Sequence, residues 1–309
     1  MSTKRQISQT TLISKTWLSI SLAEWSALAC ALIWSANGII LRTQSDYVTP
    51  GVMNTIRCIV ASIIFFIALP FDTAPLADLL EVTKNQWFLM FAALSLGVAL
   101  GDTLYIIALK EIGVSRTLTL TGTFPLTTLI WQTLLLNAPL NPTLITGSLL
   151  VVLGIIVLSQ SVEDIEEPTN LYRNILLAVC ASICWGFSAT LLKPATVSMT
   201  SIQANAIRMP VIAFLLFFLR VLPSGNENLR GIKLKNILIV SATGILGMGL
   251  GGFLFVYAIT KIDPAKVVTI TSSSPLFGML FAAIFLKERI TKRIGLGIVL
   301  CLAGVYAVL

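Results

Sequence analysis

Apolar stretches of about 20 residues recur along nearly the whole chain, and they constrain its fold more than any other feature. A helix needs about 20 apolar residues to cross the hydrocarbon core of a bilayer. Short links that carry Pro, Gly, Asn or charge separate the stretches. The stretches cover residues 23–43, 50–69, 86–109, 114–136, 142–160, 171–192, 201–221, 236–259, 264–286 and 293–309. The sequence therefore predicts an all-α membrane protein with ten transmembrane helices.

Charge and residue usage exclude several classes of function. Only 11% of the 309 residues are charged, against about 25% in soluble domains. The net charge of +7 comes from Lys and Arg that lie mostly in the links, where they orient the helices, so nucleic acid is not an expected partner. The chain has no histidine, which removes most zinc sites and the common nucleophile arrangements. We expect no enzyme activity, no metal and no cofactor.

The chain repeats itself. Trp34 lies 23 residues before Arg57, and Trp185 lies 23 residues before Arg208 (57 − 34 and 208 − 185), so the two copies are 151 residues apart. At an offset of 150, further identities pair Gly101 with Gly251, Ala108 with Ala258, Thr121 with Thr271, Pro125 with Pro275, Gly147 with Gly297 and Gly154 with Gly304. This predicts a duplicated five-helix unit. Five is odd, so the second copy enters the membrane from the opposite side, as in many transporters.

The repeat defines the expected domains. They are an N-terminal tail (1–22), a first repeat with helices 1–5 (23–160), an acidic linker (161–170) and a second repeat with helices 6–10 (171–309).

An arginine stands inside the second helix of each repeat. Arg57 and Arg208 each follow an asparagine by three residues, Asn54 and Asn205. A guanidinium at this depth should face a partner or a wet cavity, where it can bind a carboxylate or phosphate in a bidentate manner. The alternative is structural, because the same side chain can reach the headgroups or hold a neighbouring helix.

Asp102 is the one carboxylate deep within a predicted helix, and its counterpart in the second repeat is Gly252. A carboxyl group inside a membrane can take up and release a proton, so Asp102 is the candidate coupling residue. Tyr105 lies on the same face and is a candidate substrate-binding residue. The alternative is a neutralising pair with Arg57 or Arg116.

Pro125 and Pro275 interrupt the fourth and ninth helices and are candidate hinges. Hydroxyl groups surround them, and we take Thr121, Thr271 and Ser274 as candidate substrate-binding residues. The alternative is that these hydroxyls satisfy a kinked backbone and allow close helix packing.

The first helix of each repeat offers a further candidate wall of the substrate site. Trp34 and Asn37 share a face of the first helix, and Trp185 and Ser188 share a face of the sixth. They suit a flat or cationic substrate, whereas packing tryptophans are the ordinary alternative.

These features resemble the EamA domains of the drug/metabolite transporter superfamily. The resemblance rests on two five-helix halves, the paired arginines and prolines, and the segment from Pro275 through Lys287-Glu288-Arg289 to Gly304-Val305. The first half departs from it, with Asn137-Ala138-Pro139 at the position of Lys287-Glu288-Arg289. The resemblance implies a multi-pass protein of the bacterial inner membrane with cytoplasmic termini. The charges of the links favour the opposite orientation, whereas the basic N-terminal tail supports cytoplasmic termini.

Together, these features predict a secondary transporter that works by alternating access. The leading expectation is export of amino acids or related compounds, coupled to protons, with a small-molecule substrate and the lipid bilayer as partners. Uptake or exchange of phosphorylated metabolites or cofactors is the alternative within this class. A non-transporting membrane scaffold or sensor is the alternative from another class. The sequence leaves monomer and homodimer open.

Overall fold

A computed structural model describes residues 20–44, 47–112, 114–160, 170–223, 231–285 and 291–309. Regular structure in these ranges is helical throughout. Most of the N-terminal tail, most of the acidic linker and the Lys287-Glu288-Arg289 segment lie outside the described residues.

The α-helices follow one another with short links. They are α1 (Leu22–Arg42), α2 (Pro50–Ala68), α3 (Lys84–Leu94), α4 (Asp102–Ile112), α5 (Val114–Thr121), α6 (Phe124–Leu136), α7 (Pro142–Ser159), α8 (Leu171–Ala195), α9 (Ser201–Leu216), α10 (Leu234–Thr243), α11 (Gly252–Lys261), α12 (Pro264–Thr271), α13 (Ser274–Phe285) and α14 (Lys292–Val308). Three π-helical segments join or extend them: Ser95–Gly101, Phe217–Val221 and Gly244–Gly251.

Seven segments are long and apolar enough to cross a membrane, judged by length and composition. They are Leu22–Leu41, Pro50–Phe71, Lys84–Leu109, Pro142–Ser159, Leu171–Ala195, Ser201–Val221 and Leu234–Lys261. The fourth and ninth predicted helices are each two shorter helices, α5 with α6 and α12 with α13, and α14 has 17 residues. The all-helical architecture is thus confirmed, whereas the count of ten transmembrane helices stays a prediction.

Local sequence explains where several helices begin. Capping boxes start α1 at Ser21, α3 at Thr83 and α9 at Thr200. In each box the hydroxyl of the residue before the helix accepts a hydrogen bond from the backbone N–H three residues later, and the side chain of that later residue accepts one from the backbone N–H of the first. These hydrogen bonds satisfy backbone groups that a helix end leaves unpaired. Proline occupies the first turn of α2, where its missing N–H costs nothing.

The two halves of the chain, residues 20–160 and 170–309, interlock. The first helix of each half packs against the third and fourth segments of the other: α1 contacts α11, α12 and α13, and α8 contacts α3, α4 and α6. The second helices, α2 and α9, contact each other, and so do the fifth, α7 and α14. Helices of both halves therefore form the interior of the molecule.

Cross-half hydrogen bonds close one end of the bundle, which we call the Glu24 end. The short links reverse the chain direction, so the starts of α1, α3, α9 and α12 all lie at this end. Glu24, only 6% exposed, forms an ion pair with Lys266 of the other half, and Thr200 donates to the Asp72 carboxylate. The other bonds are Gln86 Nε2 to Ser198 Oγ (2.7 Å), Gln203 Nε2 to Pro75 O (3.2 Å), Ala265 N to Gln132 Oε1 (2.9 Å) and Ser148 Oγ with Thr269 Oγ1 (2.7 Å).

Candidate functional site

A cavity of about 180 Å³ lies where the two halves meet. Its polar and charged lining comes from Asn54, Asp102 and Arg208, together with the indole of Trp34. Apolar side chains and glycines complete the wall: Cys58, Met209, Ile212, Leu216, Gly247, Met248, Gly252 and Phe255. One cavity therefore holds a guanidinium from the second half and a carboxylate from the first.

Arg208 enters the cavity from α9. Its Nη1 donates to Asn205 Oδ1 at 3.0 Å, and its Nε has no hydrogen-bond partner. Asn205 is fully buried, and its amide donates to the Ser201 carbonyl at 2.8 Å, which fixes the oxygen that holds Arg208. The guanidinium is thus oriented from one side and keeps donor capacity for a ligand.

Arg57, the counterpart of Arg208, occupies a different environment. It forms the equivalent bond, from Nη1 to Asn54 Oδ1 at 2.7 Å, but it is 7% exposed and does not line the cavity. A Cβ on Gly244 would lie 2.9 Å from the Arg57 backbone, and one on Gly247 would lie 2.9 Å from Nη2. The structure therefore packs Arg57 against the π-helical segment Gly244–Gly251.

Asp102 begins α4, directly after the π-helical segment Ser95–Gly101. Its Oδ1 accepts a hydrogen bond of 2.8 Å from the Trp185 indole, which comes from the other half. The rings of Tyr105 and Trp185 lie 5.3 Å apart. In the described residues Asp102 forms no ion pair with Arg57. The carboxylate is thus held by a neutral donor at the cavity wall.

The other candidates of the first helices donate to carbonyl groups in, or just before, the π-helical segments of the opposite half. Asn37 Nδ2 donates to the Thr243 carbonyl at 2.9 Å, and Ser188 Oγ donates to the Ala93 carbonyl at 2.7 Å. The two contacts are equivalent in the repeat, since 37 + 151 = 188 and 93 + 150 = 243. Trp34 lines the cavity and donates to the Gly247 carbonyl at 3.0 Å, whereas Asn37 and Ser188 do not line it.

The hydroxyl groups near the prolines satisfy their own helices. Thr121 Oγ1 donates to the Thr117 carbonyl at 2.8 Å, and Thr271 Oγ1 donates to the Val267 carbonyl at 3.0 Å. Neither they nor Ser274 line the cavity. Such bonds fit the alternative in which hydroxyls serve the backbone of a broken helix.

The prolines themselves stand at helix starts and not inside kinks. α5 ends at Thr121 and α6 begins at Phe124, with buried Pro125 in its first turn. α12 ends at Thr271 and α13 begins at Ser274, which places Pro275 in the same position, there exposed to the surroundings. A two-residue turn therefore separates the helices in both halves.

Sequence reasoning missed the apolar wall and one arginine. Arg208, Ile212 and Leu216 follow at four-residue spacing along one face of α9, and Arg220 continues the row in the segment Phe217–Val221. Arg220 stands at the end of an apolar stretch and therefore counts as a link residue in the sequence. The four-residue row was the signal that could have found it.

Comparisons with known proteins agree with the fold and the repeat. A model of the family described as "EamA-like transporter family" matches residues 21–160 and again residues 173–309. A protein of Archaeoglobus fulgidus, described as an uncharacterized transporter, is 26% identical over 283 residues, which span 92% of this chain and 96% of the relative. A solved crystal structure superimposes with a TM-score of 0.78 at 15% identity, covering 93% of this chain and 96% of that one. This last likeness concerns the fold alone.

Proposed function

The chain belongs to the EamA-like transporter family, and on that premise we propose that it is a proton-coupled secondary transporter that exports amino acids or related small compounds. The family and the seven long apolar segments make it a multi-pass integral membrane protein. The bacterial inner membrane is the proposed location.

One observation carries the substrate class: Arg208 and Asp102 line the same small, otherwise apolar cavity. A guanidinium binds a carboxylate, and a carboxylate attracts an ammonium group, so opposite charges on one wall suit a zwitterion. Met209, Ile212, Leu216, Met248 and Phe255 offer apolar contact to a side chain. The volume of about 180 Å³ is below the roughly 300–1,000 Å³ of pockets for drug-sized ligands. These features support a small amino acid-like substrate.

The interlocked halves support alternating access. The cavity is formed between the halves, and hydrogen bonds between the halves close the Glu24 end. Movement of one half relative to the other would break these bonds and expose the cavity at that end, as in other inverted-repeat transporters.

The alternatives are less well supported by the cavity. A phosphorylated metabolite or cofactor carries a multiply charged group that would lie beside the Asp102 carboxylate, with one lining guanidinium to balance it. A scaffold or sensor does not need opposite charges facing one internal cavity.

A ligand screen tests the substrate class. The purified protein is melted with amino acids, nucleotides and sugar phosphates, and a hit is followed by counterflow in proteoliposomes. We expect apolar amino acids to raise the melting temperature and to exchange. Stabilisation by sugar phosphates or nucleotides alone would overturn the amino acid assignment, and binding without exchange would favour a sensor.

A second experiment tests coupling. Asp102→Asn removes the carboxyl group but keeps its shape and its ability to accept from Trp185, so we expect exchange to persist while uptake driven by a pH gradient is lost. Unchanged response to the gradient in proteoliposomes would remove Asp102 from the coupling mechanism.

A further inference from the structure

Gly252 lines the cavity at a position where the two halves of the chain differ. Its counterpart in the first half, at an offset of 150, is Asp102, and both residues line the same cavity. In the first half the carboxylate fills this place and accepts from the Trp185 indole. In the second half no side chain is present, and the equivalent Trp34 indole donates to the Gly247 carbonyl at 3.0 Å. The two halves thus place a charged group and an unfilled position on the cavity wall.

Neither the backbone nor the packing explains a glycine at position 252. Its φ of −61° and ψ of −40° are ordinary right-handed helical values. A Cβ there would lie 3.2 Å from Met209 Cε, the movable end of a flexible side chain, and 3.6 Å from Asn205 Oδ1. At Gly244 and Gly251, by contrast, a Cβ would come within 2.9 Å and 2.7 Å of the first half. Alanine stabilises a helix more than glycine does, so the glycine at position 252 has a role other than packing.

The space beside Gly252 is bordered by large apolar side chains. Met248 lies four residues before Gly252 and Phe255 three residues after it, and all three line the cavity. Met209 of α9 borders the same space from the neighbouring helix. We call the space between Gly252, Met248, Phe255 and Met209 the Gly252 notch. Its walls suit a hydrocarbon group, because apolar surface gains free energy when it leaves water.

The Gly252 notch lies next to the guanidinium that holds the ligand carboxylate in the proposed site. Asn205 Nδ2 donates to the Gly252 carbonyl at 3.3 Å, and Asn205 Oδ1 accepts from Arg208 Nη1 at 3.0 Å. In an amino acid, the carbon that bears the side chain is bonded directly to the carboxylate carbon. A carboxylate on Arg208 therefore brings the first atoms of the side chain to the notch, while Asp102 remains for the ammonium group.

We propose that Gly252 is the specificity-determining residue of the cavity, and that the Gly252 notch receives the apolar side chain of the transported amino acid. The inference rests on the proposed transport of amino acids. Side chains larger than the methyl group of alanine then depend on the absence of a Cβ at position 252. Leucine fills the notch, valine fills part of it, and alanine leaves it empty. The preference for large apolar amino acids is thus set by one missing methyl group.

Adding that methyl group tests the proposal. Purified wild type and Gly252→Ala are titrated with L-alanine, L-valine and L-leucine, and the dissociation constants are obtained from the shift in melting temperature with ligand concentration. One methylene in an apolar pocket changes binding by about 10-fold or more. We expect Gly252→Ala to weaken leucine binding by that factor, valine binding less and alanine binding least. An equal loss for all three would mean that the variant disturbs Arg208 instead, and would overturn the proposal.

Gly249→Ala is the matched control, because it adds the same methyl group to the same glycine-rich segment. A Cβ at Gly249 would lie 3.6 Å from the Gly244 carbonyl oxygen and 3.7 Å from Ile64 Cδ1, which are ordinary contacts, and Gly249 does not line the cavity. We expect its three dissociation constants to match those of the wild type. Counterflow of tritiated L-alanine in proteoliposomes, competed with valine and leucine, should give the same order of effects. A loss of leucine binding in Gly249→Ala equal to that in Gly252→Ala would contradict the notch.

A second variant covers the case in which Gly252→Ala folds poorly. Met209→Leu conserves side-chain volume and removes the Cε atom that a Cβ at position 252 would approach. The double variant is then compared with Met209→Leu alone, and leucine should again lose more affinity than alanine. Failure of both Gly252→Ala and the double variant to fold would show that packing requires the glycine, which also overturns the proposal.

The outcomes separate this inference from the function on which it rests. If none of the three amino acids stabilises or exchanges through the wild type, the proposed transport of amino acids fails, and the inference fails with it. If the wild type binds and exchanges leucine while Gly252→Ala keeps the relative affinities for leucine, valine and alanine, the proposed function stands and Gly252 does not determine specificity. A loss that grows with side-chain size in Gly252→Ala, and is absent in Gly249→Ala, is the result expected.

Discussion

At the scale of single residues, Arg57 and Arg208 have matching local sequences but occupy different environments in the structure. Each guanidinium donates to the asparagine three residues earlier, at 2.7 Å for Arg57 and 3.0 Å for Arg208. The spacing of Asn and Arg could be read from the sequence, and so could the local hydrogen bond. What the sequence could not tell is that glycines of the opposite half cover Arg57 while the cavity opens beside Arg208.

The two arginines should therefore respond differently to substitution. Arg208→Gln should leave the fold intact and weaken binding of a carboxylated ligand about 10- to 100-fold, because hydrogen bonds to a charged group contribute roughly 1.5–3 kcal/mol. Arg57→Gln should lower the free energy of unfolding by about 1–3 kcal/mol, because it disrupts a buried hydrogen-bonded group. Ligand-induced shifts in melting temperature and the melting temperature of the free protein measure the two effects. Each variant is the control for the other, and loss of expression in both would favour a purely structural role.

Gly247 is a residue at which even a methyl group should not fit. A Cβ there would overlap the Asn37 amide and lie 2.9 Å from Arg57 Nη2. Gly247→Ala should therefore destabilise the protein by about 1–3 kcal/mol through overpacking. Gly38→Ala is the matched control, because nothing lies within 4 Å of a Cβ at that helical position. Thermal unfolding of both variants checks this, and equal melting temperatures would show that α1 and the π-helical segment can separate at little cost.

At the scale of helices and links, apolar length located the elements well but could not describe their interiors. Capping residues such as Thr83 and Thr200 stand beside the predicted starts, and α3 and α9 begin directly after them. The sequence gives no sign of the π-helical segments Ser95–Gly101 and Gly244–Gly251, because a helix that is apolar on most sides shows no hydrophobic periodicity. The contacts of Trp34 with Gly251 and of Trp185 with Gly101 show which helices pack on the glycines of these segments.

The fifth helices of the two halves, α7 and α14, pack closely on each other through glycines. A Cβ on Gly304 would lie 2.6 Å from the Gly147 carbonyl oxygen and 2.7 Å from the Val151 amide nitrogen. Backbone atoms cannot move aside as a side chain end can, so Gly304→Ala should force the helices apart and cost about 1–3 kcal/mol.

Gly295, in the first turns of α14, is the matched control for Gly304. It has nothing within 4 Å of a Cβ. Gly295→Ala should be neutral or stabilising by about 0.5–1 kcal/mol, because Ala loses less backbone freedom in a helix. Melting temperature and yield of folded protein distinguish the two variants. A loss for Gly295→Ala equal to that for Gly304→Ala would mean that the cost arises elsewhere than in the helix pair.

At the scale of the whole molecule, the duplication was visible in the sequence, whereas the pairing of helices was not. A constant offset shows that two units have the same internal plan, but it carries no information about which helix of one unit touches which of the other. The observed interlocking places the two halves on both sides of the cavity. It also explains why Asp102 is held by Trp185 of the opposite half, a contact that no sequence spacing predicts.

In the proposed alternating-access mechanism the Glu24 end is a gate, and one substitution should change its strength. Glu24 and Lys266 form an ion pair between the halves there, and the Glu24 carboxylate also caps its own helix through Ser21. Glu24→Gln retains capping geometry, since Gln serves in the same position in α3 and α9. It leaves the half-buried Lys266 ammonium without its counter-charge, which costs free energy in the closed state and not in the open one. The substitution should therefore shift the population toward opening at this end.

Cys58, which lines the cavity, is a native reporter of that opening. With the other four cysteines replaced, a membrane-impermeant thiol reagent is applied from the side of the N-terminus. Cys58 is fully buried in the closed arrangement, so we expect slow labelling in the parent and several-fold faster labelling in Glu24→Gln. Lys266→Met, which removes the other charge, should also accelerate labelling, whereas Lys84→Met, at an exposed position of the same end, should not. Equal rates in the parent and both gate variants would show that the remaining cross-half hydrogen bonds hold this end closed without the ion pair.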